Sequence, residues 1–242
     1  MIIRNVKVYT EEKEFMKGEI VIQEGLIKEV EYDESAQSGT KGSEEKVLDG
    51  EGCYAIPGLI DLHFHGCCGY DFCDGTKEAI AKIAEYEASV GVAAISPATM
   101  TLPVEELERI LSVAAEYKRE VQKETDASGC GTAADLVGVN MEGPFISEAK
   151  KGAQDERNIV SCDTEICQRF LDASEGLVRF VGIAPERNEN AAEFIREMKD
   201  KVHISLAHTN ADYDTAMAAF DAGADHAVHL YNAMPAFTHR NP

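Results

Sequence analysis

His63 and His65 stand two residues apart in DLHFHG, at the end of an apolar run. A strand's period of two puts both imidazoles on one face, where they can share a metal ion. Alone, an HxH pair reads more readily as buried or partly exposed histidines bonded to backbone. Three further candidates change that reading: Glu142 in VGVNMEGPF, His208 in ISLAHTN and His229 in AVHLYNAM, each at or just past the end of an apolar run. Histidines serving only as structure have no reason to gather repeatedly at strand ends. Four imidazoles and one carboxylate suit Zn²⁺, Fe²⁺, Co²⁺ or Mn²⁺ better than Mg²⁺ or Ca²⁺, which prefer oxygen shells. Five ligands exceed what one four-coordinate catalytic ion takes while keeping room for water. Two ions bridged by Glu142, or one ion on Glu142, His208 and His229, both remain open. Either arrangement activates water for hydrolysis.

Elements must bring these residues together. From Tyr54 onward the chain alternates six almost continuously apolar runs (YAIPGLIDL, VAAIS, DLVGVN, VRFVGIA, VHISLA and DHAVHL) with amphipathic stretches. That is the pattern of parallel strands buried on both faces. Val104, Leu107, Leu111 and Ala114, behind Pro103, follow a helical period. Ile80, Ile83 and Ala84 precede Gly91, and Ala216, Met217 and Phe220 precede Gly223, each glycine standing where a helix ends. Residues 1–52 read as a small β domain with a polar stretch at 35–45, and residues 53–242 as an α/β domain. Ligands from the first, third, fifth and sixth strands meet naturally at the mouth of a (β/α)₈ TIM-type barrel, of which about six βα units are present. His203 and His226 differ from His208 and His229 by an odd number of residues and are expected to face the helices. Cys67 and Cys68 read as small buried thiols rather than ligands.

The balance of the chain excludes several classes. Among 242 residues, 23 Lys and Arg against 44 Asp and Glu give a formal charge of −21, a surface that repels phosphate backbones and anionic lipid. Neither nucleic acid nor membrane is an expected partner. No apolar run reaches the roughly 20 residues of a membrane span, and the start has no signal-peptide core. Seven cysteines without regular spacing fit a reducing cytoplasm.

With these residues placed, the chain resembles the amidohydrolase superfamily, in which a PG-(L/F)-ID-x-H-x-H segment closes the small β domain and opens the barrel. PGLIDLHFHG, from Pro57 to Gly66, fits it. Within the superfamily, MEGPFIS, LAHTN and HLYNAMP resemble the N-acetylglucosamine-6-phosphate deacetylase family. The resemblance implies hydrolysis of an acetamide on a phosphorylated amino sugar, with one or two divalent ions on His63, His65, Glu142, His208 and His229. It further implies sugar contacts from Ala153, Gln154, Asn232 and Ala233, a 6-phosphate clamp at Arg240, and a homodimer. A guanidinium fork suits bidentate phosphate binding. The family's catalytic Asp follows the eighth strand and would lie beyond Pro242, so the chain reads as a truncated member, with no catalytic acid or base identified in it. The alternatives are an amidohydrolase for a cyclic amide or N-acyl amino acid, which has no use for Arg240 as a clamp, and a non-catalytic metal-binding remnant.

Overall fold

Apolar and charged side chains alternate through the first 32 residues, and they form strands. β1 (Ile2–Tyr9) pairs antiparallel with β2 (Phe15–Gln23), and β2 with β3 (Leu26–Tyr32). Glu24 and Gly25, both at positive φ, make the tight turn between β2 and β3. β4 (Val47–Asp49) and β5 (Tyr54–Ala55) pair parallel with opposite ends of β1. Val6, Val8 and Ile20 form the core of this unit, with Ile3, Ile22, Val30 and Ala55 packed on it. The computed structural model describes residues 1–32, 46–128 and 131–240, so the polar stretch 35–45 lies outside the described residues. The first compact unit is Met1–Gly58. It extends past residue 52 because Tyr54 and Ala55, grouped by their apolar character with the first barrel run, bond instead to Lys7 and Val8.

The second unit begins at Leu59. It runs β6 (Leu59–Asp61), the hairpin β7 (Gly66–Cys67) and β8 (Tyr70–Asp71), α1 (Lys77–Ser89), β9 (Val92–Ile95) and α2 (Val104–Ser128). There follow β10 (Asp135–Leu136), β11 (Val139–Phe145), α3 (Thr164–Ala173), β12 (Val178–Ile183), α4 (Ala191–Met198), β13 (His203–Leu206), α5 (Tyr213–Ala222) and β14 (His226–Ala227). β10 and β11 act as one interrupted strand: β10 pairs with β9, and a parallel bridge from Ala98 to Asn140 ties β11 to the same neighbour. The parallel order is therefore β6, β9, β10/β11, β12, β13, β14. Each strand lies beside the next in sequence with a helix between them. This is the α/β arrangement of a (β/α)₈ barrel, with six strand positions represented among the described residues.

Local chemistry starts and stops the helices. Thr76, Asp163 and Asp212 accept backbone N–H bonds at the starts of α1, α3 and α5. Gly223, at φ 124°, ends α5 by donating to Ala219 and Phe220 carbonyls. One face of the strands supplies Ile95, Leu136, Met141, Val181, Ile183, Ile204 and Leu206 to a core completed by Ile80, Leu107, Leu111, Phe170 and Phe194 from the helices. Phe145 meets Phe194 edge-on at 5.5 Å. Apolar side chains are exposed at both ends of the strand order: Leu59 and Ile60 on β6, and Tyr213, Met217 and Phe220 along one face of α5. Replacing Phe194 by Ala should remove about 3–5 kcal/mol of stability. Urea denaturation of the second unit checks this, and a cost below about 1 kcal/mol would show that the aromatic packing is not central to its core.

Candidate metal centre

Glu142 lies in the middle of β11 and is 2% exposed, a burial that a carboxylate tolerates only with partners. The partners come from other strand ends. His63 and His65 follow β6, His208 follows β13 and His229 follows β14. Nε2 of His229, His208 and His63 lie 2.6, 3.0 and 3.3 Å from Glu142 Oε1, and Nε2 of His65 lies 3.1 Å from Oε2. The five residues expected from sequence to share a site are thus brought around one carboxyl group. Donor atoms of His63, Glu142 and His229 fall within 4.8 Å of one another, a spacing that can hold an ion.

The remaining ring nitrogens show how well the set suits a metal. His208 Nδ1 donates to the Lys150 carbonyl at 2.7 Å, and His65 Nδ1 to the Ala98 carbonyl at 3.2 Å. These bonds orient the rings with Nε2 toward Glu142, the arrangement that backbone carbonyls impose on metal-binding histidines. His63 Nε2 is buried 3.3 Å from Glu142 Oε1 and is left without a hydrogen-bond partner. Asn140 Nδ2 sits 3.2 Å from His63 Nδ1 and 3.0 Å from the Leu62 carbonyl, while the Asp61 carboxylate accepts the His63 N–H at 3.0 Å. An unpaired buried nitrogen, oriented imidazoles and a buried carboxylate together fit a divalent cation.

Electrostatics agree with that geometry. Burial pushes the Glu142 carboxyl up, but the imidazoles of His208, His63, His65 and His229 gathered around it together outweigh that and hold the group well below the usual carboxylate range. The hydrogen bond to Glu142 raises His65 from its ordinary 6.5. Burial lowers His208, yet its bonds to Glu142 and the Lys150 carbonyl carry it above 6.5.

His208 and His229 both occupy left-handed backbone, at φ 47° and 53°. Such a conformation costs on the order of 1–3 kcal/mol for a residue with a side chain, so its surroundings must hold it. Ser147 N–H donates to the His208 carbonyl, and Thr209 N–H to the Ala233 carbonyl. Glu186 binds both the Thr209 hydroxyl and the Asn210 N–H. Asn232 and Ala233 N–H groups donate to the His229 carbonyl. The turn also breaks the strands' alternation, and this corrects the expectation for His203 and His226. His203 is in register with Phe180, His226 with Ser205, and both rings lie against Phe180. They occupy the sheet face opposite the helix-packed Val181, Ile204 and Leu206, because parity counted back from a left-handed residue gives the wrong face.

The other expected site residues are dispersed. Gln154 is buried and bonded to Glu142, Ala233 is half-buried beside the His208 turn, and Ala153, Asn232 and Arg240 are exposed. Among the described residues no hydrogen bond or ion pair joins the Arg240 side chain to the cluster. Cys67 is half-buried and Cys68 exposed, because the two belong to the β7–β8 hairpin, whose turn at Cys68 and Gly69 has positive φ; the expected full burial does not hold. Sequence reasoning passed over Asn140, Asp61 and Glu186. Asp61 ends β6 and Glu186 just follows β12, so the strand-end rule points to both, while Asn140 lies two residues before Glu142 on β11 and so shares its face.

The family model of the amidohydrolase family matches residues 54–240. The chain belongs to the amidohydrolase family. Divalent-metal dependence is general in that family, and the His and Glu cluster is a possible site for it. A Bacillus subtilis N-acetylglucosamine-6-phosphate deacetylase is 30% identical over all of this chain and 59% of its own length. An Escherichia coli N-acetylgalactosamine-6-phosphate deacetylase is 33% identical over 77% of the chain and 47% of its own. A mutant Mycobacterium smegmatis N-acetyl-D-glucosamine-6-phosphate deacetylase, solved in complex with N-acetyl-D-glucosamine-6-phosphate, superposes with a TM-score of 0.79 at 28% identity. That match covers all of this chain and 58% of the other. This amidohydrolase chain thus spans about half to three fifths of the length of such relatives. No helix among its described residues is long and apolar enough to cross a membrane.

Raised histidines have a consequence for the metal-free protein. The stabilisation from His65 and His208 is complete below 6.5 and lost as pH rises through their higher folded-state values. In chelator, the thermal midpoint should therefore fall as pH rises above 6.5, and saturating Zn²⁺ should oppose the fall by taking up deprotonated imidazoles. Calorimetry across that range checks it. A slope unchanged in the His65→Ala and His208→Ala variants would assign the effect to the general negative charge instead.

Proposed function

We propose that this chain carries the metal-binding part of an enzyme that hydrolyses the acetamide of N-acetylglucosamine-6-phosphate to glucosamine-6-phosphate and acetate, in cytoplasmic amino-sugar breakdown. The observation that carries the reading is the meeting of His63, His65, His208 and His229 on buried Glu142 from the ends of separate strands. In this reading those five residues hold one or two ions of Zn²⁺, Fe²⁺, Co²⁺ or Mn²⁺. When bound, such an ion polarises the acetamide carbonyl and acidifies water. The chain supplies the rest of the positioning. Lys150 and Ala98 carbonyls fix the His208 and His65 rings. Ala153, Asn232 and Ala233 contact the sugar, and Arg240 takes the 6-phosphate through its planar fork. The leaving amine's proton comes from the family's Asp, which the family pattern places beyond residue 242. A homodimer is part of the same proposal.

The Escherichia coli relative favours a second reading, in which the substrate is the 4-epimer, N-acetylgalactosamine-6-phosphate. Acetate release from each epimer by the full-length, metal-loaded protein separates the two. Arg240→Ala should lower kcat/KM for the phosphorylated sugar by roughly 10- to 100-fold, the worth of a charged hydrogen bond of about 1.5–3 kcal/mol. Glu142→Gln should abolish both metal retention and turnover. Bound metal without acetate release from either epimer would reject the deacetylase reading in favour of a non-catalytic remnant.

A further inference from the structure

The Gln154 side chain has both of its polar atoms committed inside the protein. Its Oε1 accepts the Thr101 N–H at 2.6 Å, and its Nε2 donates to Glu142 Oε2 at 2.7 Å. Thr101 N–H can only donate, so the amide has one possible orientation, and that orientation aims its donor at the carboxylate. The residual polar contact is a weak one, Nε2 to Met100 Sδ at 3.7 Å, and the residue is 3% exposed. At that burial, neither polar atom is open to a sugar.

We propose that Gln154 is a positioning residue for Glu142, fixing the carboxylate so that Oε1 is presented to His63, His208 and His229. The inference rests on the reading of Glu142 as a metal ligand. An amide suits this task because it orients a carboxylate without neutralising it. A lysine or arginine here would cancel the charge that attracts a cation, and an acid would repel the carboxylate. The loop that carries Gln154 does a second service, since its Lys150 carbonyl holds His208 Nδ1. The Gln154 N–H bonds to the Lys151 carbonyl, and Asn158 Nδ2 bonds to the Thr101 carbonyl, so the clamp itself is braced on both sides. One loop thus orients two of the five residues of the cluster.

The test measures metal rather than turnover. Zn²⁺ affinity of residues 1–242 is obtained by competition with a chelator, and the Co²⁺ form is followed by its visible absorption. Gln154→Leu and Gln154→Asn, which cannot reach both partners, should each weaken Zn²⁺ by about 10- to 100-fold and alter the Co²⁺ bands. Gln154→His keeps a donor for Glu142 and an acceptor for Thr101, and should restore affinity to within a few-fold. Wild-type affinity and bands in the Leu and Asn variants would overturn the role of Gln154 alone. Failure of the unmutated chain to take up an ion would overturn the metal reading itself, and this inference with it.

Discussion

A carboxylate in the middle of a strand, shielded from water, dictates what the rest of the second unit must provide. Glu142 cannot stay ionised at that depth without cationic or hydrogen-bonding partners, and leaving it unpaired would cost several kcal/mol. The structure supplies imidazoles on both oxygens and an amide on one of them. Each partner needs its own brace: carbonyls for His65 and His208, Asn140 for His63, Thr101 for Gln154. In the proposed reading, a metal ion would replace protons in this arrangement rather than add charge to an apolar space.

Glu142 also constrains the residue that follows it. A Cβ on Gly143 would stand 2.1 Å from Thr101 Oγ1, so the chain after Glu142 runs tight against the same threonine whose N–H holds Gln154. The EGPF segment and the Thr101 loop fit only as a pair. This gives the glycine of the motif a physical reason independent of any relative.

Much of this was legible in the sequence, for stated reasons. Apolar runs separated by helical periods announced a parallel α/β sheet, and the recurrence of His and Glu at run ends announced a shared site. Periodicity failed where the backbone left the strand conformation. The faces of His203 and His226 were misjudged because His208 and His229 turn through left-handed φ, and nothing in LAHTN or HLYNAM shows that turn by residue type. Tyr54 and Ala55 were grouped with the barrel because an apolar strand looks alike whichever sheet it joins. The bond from Gln154 to Glu142 spans only 12 residues, yet it depends on a loop conformation for which no pattern rule exists.

The sequential strand order has a bearing on how the molecule is made. Apart from the β7–β8 hairpin, the strand positions of the second unit pair in chain order, so the parallel sheet can grow by adding one βα unit at a time, each closing a loop of modest entropy. The cluster follows another schedule. Glu142 meets His229 across 87 residues, and Asn140 meets His63 across 77. In chain order, Glu142 on β11 comes after His63 and His65 and shortly before Gln154, whereas His208 and His229 come only with β13 and β14. The sheet is thus a low-contact-order scaffold and the cluster a high-contact-order one, completed when the sixth strand arrives.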